Sequence, residues 1–467
     1  MRSVLHVCAV RTSCLQRGMF KDIGIYEGFC MKDDRIQVSE KHVGLRVVFF
    51  VVAVVVAVGA FSYGISALGA KQSGYQLIEA SADSDAPFYN REISFGYYLE
   101  GSSGAIKKAT KELVGVYTPI LAAAYKQLDS SVEYAGAVSI GALNNHLGEE
   151  IGVSAELYDV LKDAYARTLE RRNFNMFAGA LYAEWKSVLI LDDPVGFDPL
   201  TNEDMAARFA DIAAQVSNLD NFSLDFLDDE RHIVRFSVSD GYAAFCKEME
   251  IEAGALDLNL LVNAYRLEMI ASALEDLGFT DGYLLSQDGL AITLSGCRQQ
   301  GYALYGMEDG SIVERGSFVV EGRSSKAFMA AFPLGSYSGS YYSVVDGRLR
   351  HLFFDTSTGE IRDVVMACTL VSLDGKAGSI VDESLEDGSP VGRSLVDDMA
   401  YLVDMCALSS KVSVIEAIVS LGNSSGSASG DVFVDLVFQD GTDYVVEPVE
   451  NSVVGSSADA ASSKEVQ

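Results

Sequence analysis

Side chains able to hold ions or move protons gather at a few short stretches of this 467-residue chain. The first is "LDLNLLVNAYRLEMIASALEDLG", residues 256–278, an apolar helical pattern entered through Asp257, Asn259 and Asn263. A helix N-terminus presents unpaired N–H groups and a partial positive charge, so such a mouth can hold an anion; Asp257 is equally a good N-cap in its own right. A carboxylate followed by hydroxyls appears in "DTSTG" (355–359), with His351 just upstream. That stretch is also a good hairpin turn closed by Asx hydrogen bonds. Two adjacent carboxylates, Asp397 and Asp398, open "VDDMAY" (396–401). On a helix, neighbours of this kind do not share a face. Carboxylates and hydroxyls are hard oxygen ligands and proton carriers, so these stretches are where chemistry would be sought.

The elements that must position them follow from periodicity. Leu260, Ala264, Leu267, Ala271 and Leu274 recur at three- and four-residue spacing and predict a helix ended by Gly278. Residues 105–128, 154–171, 205–219 and 394–407 read as further helices, the second capped by Ser154. "EISFGYYLEG" and "HIVRFSV" read as strands, and "DVFVDLVF", "QDGT" and "DYVVEPV" as a closing hairpin. Helices and strands mix without βαβ alternation, which predicts an α+β fold of mixed helices and antiparallel sheet.

Residues 47–70, "VVFFVVAVVVAVGAFSYGISALGA", carry no charge and are long enough to cross a hydrocarbon core of about 30 Å as one helix. Residues 1–46 hold eight Lys/Arg against five Asp/Glu, a net of +3, and the remainder holds 27 against 61, a net of −34. By the positive-inside rule the short N-terminus stays in the cytoplasm and the rest lies outside a single-pass cell membrane anchor. The predicted organisation is a tail (1–46), a transmembrane helix (47–70), a polar spacer (71–90), an exterior domain (91–450) and a disordered Ser/Ala tail (451–467). A chain of net charge −31 lacks the basic face that nucleic acid requires. No CxxC pair occurs among the seven cysteines; the four beyond the apolar segment leave room for one disulfide.

Over residues 91–445 the ordered motifs resemble those of the ApbE-type flavin transferases, which move FMN from FAD onto a Thr of a target protein. "SFGYYLEG" (94–101) is similar to the family's M-G-T-x-Y strand, and in "SIGALNNHLGEEIGV" Asn144 falls on the family Asn. "NFNMFAGALYAEW" (173–185) resembles G-x-F-N-P-x-x-x-x-L-x-x-x-W, with Met176 in place of the Pro. The 257–268 stretch lies over D-L-G-G-I-A-K-G-Y-A-x-D: Asp257, Leu258 and Tyr265 match, while Asn259, Asn263, Ala264 and Glu268 replace Gly, Lys, Gly and Asp. "LLSQDG" (284–289) sits where a Gly-Gly pair approaches the nucleotide, "YSGSYY" (337–342) resembles T-S-G-x-Y, and "LFFDTSTG" (352–359) resembles H-I-I-D-P-x-T-G with Leu352 for the His. "VDDMAY" resembles A-D-A-L-S-T, with Asp397 on the metal-binding Asp and Tyr401 on the metal-binding Thr.

The resemblance implies FAD and Mg²⁺ as ligands and an exported flavoprotein as partner. It implies catalytic roles for Asp355 and His351, and a metal-binding role for Asp397. Cofactor contacts would come from Asp257, Asn263, Tyr265, Asp288, Gly289, Ser338, Gly339 and Thr358. The departures all weaken one task, the holding of FAD. Asn263 offers a neutral bond worth about 0.5–1.5 kcal/mol where a Lys would offer about 1.5–3. Ala264 and Asn259 add bulk where bare backbone is needed, and a Tyr ring cannot replace a small hydroxyl at about 2.0–2.1 Å from Mg²⁺. Three readings follow: a homologue impaired in FAD and Mg²⁺ binding that keeps a flavin-binding or protein-interaction role; an active FMN transferase; and a membrane-anchored interaction module unrelated to flavin. The first is favoured.

Overall fold

The computed structural model describes residues 72–81, 92–170, 173–191, 195–308, 311–320, 322–330, 343–345, 348–350, 352–373, 394–424 and 432–446. The tail at 1–46, the apolar segment at 47–70 and the tail at 451–467 lie outside the described residues. Among the described residues, no helix is long and apolar enough to cross a membrane.

In chain order the elements are β1 (Gly74–Ile78), β2 (Ile93–Leu99), α1 (Ser103–Gln127), α2 (Ile140–Asn145), β3 (Glu150–Gly152), α3 (Ala155–Glu170), α4 (Gly179–Leu189), α5 (Glu203–Ser217), β4 (Phe222–Asp228), β5 (Ile233–Val238), α6 (Asp240–Glu248) and α7 (Val262–Asp276). There follow β6 (Gly282–Ser286), β7 (Ala291–Thr293), β8 (Gln300–Glu308), β9 (Ser311–Val320), β10 (Ser324–Ala330), β11 (Ser343–Val345), β12 (Arg348–Arg350), β13 (Val365–Leu373), α8 (Leu395–Cys406), α9 (Lys411–Ser424), β14 (Val432–Phe438) and β15 (Asp443–Val446). Eight strands form one antiparallel sheet in the order β1-β2-β6-β7-β10-β13-β14-β15. A second sheet, β3-β5-β4, and the hairpins β8-β9 and β11-β12 are not hydrogen-bonded into it. Mixed helices and antiparallel strands were the expectation, and they are what forms.

Period-2 patterning puts Ile78, Ile93 and Phe95 on the face that meets α1, where the Phe95 and Tyr117 rings lie 5.2 Å apart. Helices α7, α8 and α9 cover the same sheet further along, α7 over β6 and β7, α8 over β10 and β13. Trp185 of α4 is buried edge-on against Phe209 of α5, at 5.7 Å. Two predicted helix caps are present, Ser154 accepting from the Leu157 N–H and Gly278 at φ +84° after α7, but Asp257 does not cap α7, which begins at Val262 without a side-chain cap; Asp257 instead accepts the Asn259 N–H in the preceding turn.

Two expectations are corrected. The stretch read as a spacer contains β1, which pairs along its whole length with β2; a Tyr and a Leu on alternate positions suffice for an edge strand when a partner is in register. No disulfide joins the later cysteines: Cys246, Cys297, Cys368 and Cys406 are all free.

Candidate functional site

The stretch 173–179, "NFNMFAG", runs through the interior and organises the candidate residues around itself. Asn175 folds its Oδ1 back to the Phe177 N–H at 2.9 Å and donates to the Val216 carbonyl at 2.8 Å. The Met176 carbonyl accepts the Asp257 N–H at 2.8 Å, and Gly179 donates to the Ala255 carbonyl at 3.1 Å. Here two chain segments touch backbone to backbone: a Cβ on Gly179 would lie 2.3 Å from the Gly254 carbonyl oxygen, and one on Gly254 2.3 Å from Asn144 Nδ2. Asn144 clamps the same loop, donating to the Ser130 and Leu256 carbonyls and accepting from the Leu256 N–H, each at 2.9 Å.

The mouth of α7 is closed by its own side chains. Asp257 Oδ1 accepts from the Asn259 N–H at 2.6 Å and Oδ2 from Ser130 Oγ at 2.8 Å. Asn259 holds φ +53°, the left-handed region that Asn tolerates almost as Gly does. Its amide donates to the Asn175 and Asp257 carbonyls, and its Oδ1 is buried with no partner among the described residues. Asn263 donates to Asp288 Oδ2 at 2.7 Å and accepts from Arg266 at 3.0 Å. Arg266 also pairs with Glu92 at 3.1 Å and lies 4.4 Å from the centroid of the Tyr125 ring. Asp288 is held by Ser286 Oγ, and Gly289, at φ +93°, completes that turn. Burial pushes the Glu92 carboxyl above its ordinary range, and Asp288 and Asp129 add to the push against the pull of Arg266. The mouth is therefore acidic, with one guanidinium among several carboxylates.

Further along α7, Tyr265 is buried and donates to Asp163 Oδ2 at 2.5 Å, which keeps its ring away from any ligand. Burial, with Asp163 adding to it, raises the Tyr265 hydroxyl far above its usual range. Asp163 accepts from Arg167 Nε at 2.7 Å, and the other side of the guanidinium donates to Asp397 Oδ1 at 2.8 Å. Asp397 Oδ2 accepts the Ser394 N–H at 3.2 Å while Ser394 Oγ accepts the Asp397 N–H at 3.0 Å, a complete capping box. Burial pushes Asp397 up, but Arg167 and the capping N–H outweigh it and hold the carboxyl below its ordinary range. Next to it, Glu268 Oε1 accepts the Val396 N–H at 3.1 Å. Burial moves the Glu268 carboxyl up to about 7 despite that bond. Asp398 points the other way, as the helix geometry predicts, accepting from Ser372 Oγ at 2.6 Å and Ser325 Oγ at 3.3 Å.

Asp355 builds an Asx turn: Oδ1 accepts from the Ser357 N–H at 3.0 Å and Ser357 Oγ at 2.5 Å, and Arg362 reaches Oδ2 at 3.3 Å. Burial works against these bonds, yet they keep the Asp355 carboxyl below its usual range. Thr358 is exposed on the turn and accepts the Glu360 N–H at 3.3 Å. Thr356 ties the turn to the Asn173 carbonyl at 3.0 Å. Tyr182 is buried with its ring 4.5 Å from that of Phe354, and burial, with the Asp257 charge adding to it, raises its hydroxyl well above its usual range. Asp257 through its N–H, and the Asp355 turn through Thr356 and Phe354, both meet the buried 173–182 stretch, whereas Asp397 is tied to Arg167 of α3 and to its own cap. Ser338, Gly339 and His351 lie outside the described residues.

The fit to the implied ligands is poor. Mg²⁺ needs six oxygens in near-octahedral order. Asp397 is already committed on both oxygens, and Tyr401 donates to the Ala417 carbonyl at 2.7 Å. Among the described residues no three His, Cys, Asp or Glu side chains are placed to hold a metal ion. A pyrophosphate at the α7 mouth would meet Asp257, Asp288, Glu92 and the unpartnered Asn259 carbonyl oxygen, all acceptors, with Arg266 the opposing charge. The described residues fit neither Mg²⁺ nor a bare dianion. Arg167 and Asp163 were not singled out in the sequence; their i, i+4 spacing on α3 was legible, but not the reach to Asp397.

No family model matches the chain, and no curated protein does. Solved structures resemble it, among them three of ApbE proteins. The ApbE protein of Thermotoga maritima gives a TM-score of 0.49 at 14% identity, over 80% of this chain and 97% of that one. Apo flavinyl transferase ApbE of Pseudomonas stutzeri gives 0.44 at 12%, over 81% and 95%. Flavin transferase ApbE of Vibrio cholerae, in a mutant form, gives 0.44 at 12%, over 80% and 97%.

Proposed function

We propose that this chain is a membrane-anchored, extracytoplasmic homologue of the ApbE flavin transferases that has exchanged its metal and pyrophosphate grips for internal ion pairs, and that it serves as a non-catalytic flavin-binding or protein-interaction unit. The observation that carries the proposal is the fate of Asp397: its carboxylate is spent on a capping box and on Arg167, at 2.8 Å, while Tyr401 turns its hydroxyl to α9. A guanidinium stands where a cation would be wanted, so the carboxylates are neutralised without one. Anchoring is supported by the uncharged stretch 47–70 and by the +3 and −34 charges on its two sides.

A second reading, an active FMN transferase, draws support from Asn259, which keeps the left-handed turn that the family pattern fills with Gly. The two readings separate in a titration of the purified chain with FAD, with and without Mg²⁺. The proposal expects weak binding that the metal does not change. Saturation at micromolar FAD that requires Mg²⁺ would establish the transferase reading in its place.

A further inference from the structure

The eight-stranded sheet is covered by helices on one face, and on its outer face the described residues cover only one half. Over β7, β13 and β14 the β8-β9 hairpin lies across it, with Tyr302 and Val320 buried against Ala291, Val371 and Phe433. Over β1, β2 and β6 the strand alternation turns Tyr75, Leu77, Tyr98, Tyr283 and Leu285 outward. These form one patch. The Tyr75 ring lies edge-on to Tyr98 at 5.4 Å and to Tyr283 at 5.5 Å, and the Tyr283 ring covers Gly96 so closely that a Cβ there would be 2.2 Å away. Leu77 remains 51% exposed and Leu285 38%. Arg298 closes one end, 3.8 Å above the Tyr98 ring, but Glu100 and Asp281 neutralise it at 3.0 and 2.9 Å. The patch is thus apolar and aromatic, without a surplus of positive charge.

What covers it is indicated by where the chain comes from. The uncharged stretch ends at Ala70, four positions before Gly74, the first residue of β1. Three residues, Lys71 to Ser73, therefore separate that stretch from the edge strand in the sequence, a short tether. We infer that the uncovered face of β1, β2 and β6 rests on the interfacial layer of a lipid bilayer, holding the folded unit against the membrane instead of letting it swing on its tether. Tyr rings with Leu between them suit a layer that is apolar below and wet above. The contact is apolar in origin, so it is insensitive to salt on zwitterionic headgroups, while on anionic ones salt strengthens it by screening the repulsion of the acidic body. This inference rests on the anchored reading above.

The test places the full chain in phosphatidylcholine vesicles containing a diazirine-bearing phospholipid, followed by irradiation and peptide mapping. Lipid adducts are expected in the 47–70 stretch and also at Leu77 and Leu285, with none at Leu169, an equally exposed leucine on α3. The variant L77D/L285D should lose the adducts on the sheet face about fivefold or more and keep those in 47–70; Trp185 emission verifies that it is folded. Adducts in 47–70 alone overturn the inference and leave the anchor standing. Adducts absent from 47–70 remove the anchored reading itself. A dimer mass by native mass spectrometry, with the sheet face unlabelled, assigns the patch to a second copy and likewise overturns it.

Discussion

If Arg167 neutralises carboxylates that another cation could serve, its removal should be both costly and repairable. In Arg167→Ala, Asp163 and Asp397 lose their common partner, and Glu268 sits beside them as a third acidic group. The Arg167 side chain is 14% exposed and that of Asp397 40%, so the pair lies between the surface and buried regimes. Exposed pairs are worth about 0–1 kcal/mol, and breaking a buried one costs about 3–5, so a loss of roughly 2–4 kcal/mol is expected. The sole Trp, Trp185, is buried and reports the transition in a denaturant titration. Mg²⁺ should then restore part of the loss in the variant, about 1.4 kcal/mol at ten times its dissociation constant, and do nothing for the parent chain. A variant within about 0.5 kcal/mol of the parent, or one that Mg²⁺ stabilises no more than it stabilises the parent, would refute the reasoning.

Glu268→Gln tests the buried carboxyl beside that pair. Its folded pKa of about 7 lies above the ordinary carboxyl value of 4.5, so its contribution is complete below 4.5 and is lost as pH rises through about 7. The parent should therefore lose stability against Glu268→Gln between those limits, and parallel curves would speak against the buried carboxyl. Asn263→Lys with Tyr401→Thr should raise FAD affinity about fivefold, from a gap near 1 kcal/mol between charged and neutral donors; an unchanged fluorescence titration would count against the motif alignment. Gly179→Ala forces a methyl within 2.3 Å of the Gly254 carbonyl oxygen and should cost about 1–3 kcal/mol or more in the same denaturant assay. A neutral result there would mean that α4 can shift freely.

Much of the scaffold was legible because it depends on local rules. Ser154, Gly278, the "QDGT" turn and the alternation in "SFGYYL" each act within a few residues, and each forms as expected. What escaped depends on partners far away in the chain. The strand at 74–78 looks polar until β2 supplies a register for it. Helices α2, α4, α6 and α9 were not foreseen; α4 is apolar nearly all round, so burial and not amphipathic spacing defines it. The candidate site was legible as a set of positions and illegible as a set of bonds. Asp397 could be matched to a metal-binding Asp from the sequence, but its ion pair spans 230 positions. Asn263 could be matched to a Lys, but its bond to Asp288 comes from a turn after β6.

The order of strands in the large sheet also governs when the molecule can be completed. Ile93 of β2 pairs with Ser286 of β6, and nearly all of the helical residues of α1 to α7 lie in the interval. The opposite edge is sealed by β14 and β15, which join Val365–Leu373 to strands near residue 440. During synthesis β2, already able to pair with β1 and to pack Phe95 against Tyr117 of α1, must wait through almost two hundred residues for β6, and the opposite edge closes later still with β14 and β15. Distant pairings such as β2-β6 and β13-β14 join local hairpins such as β1-β2 and β14-β15, and the distant ones set the slow steps of folding.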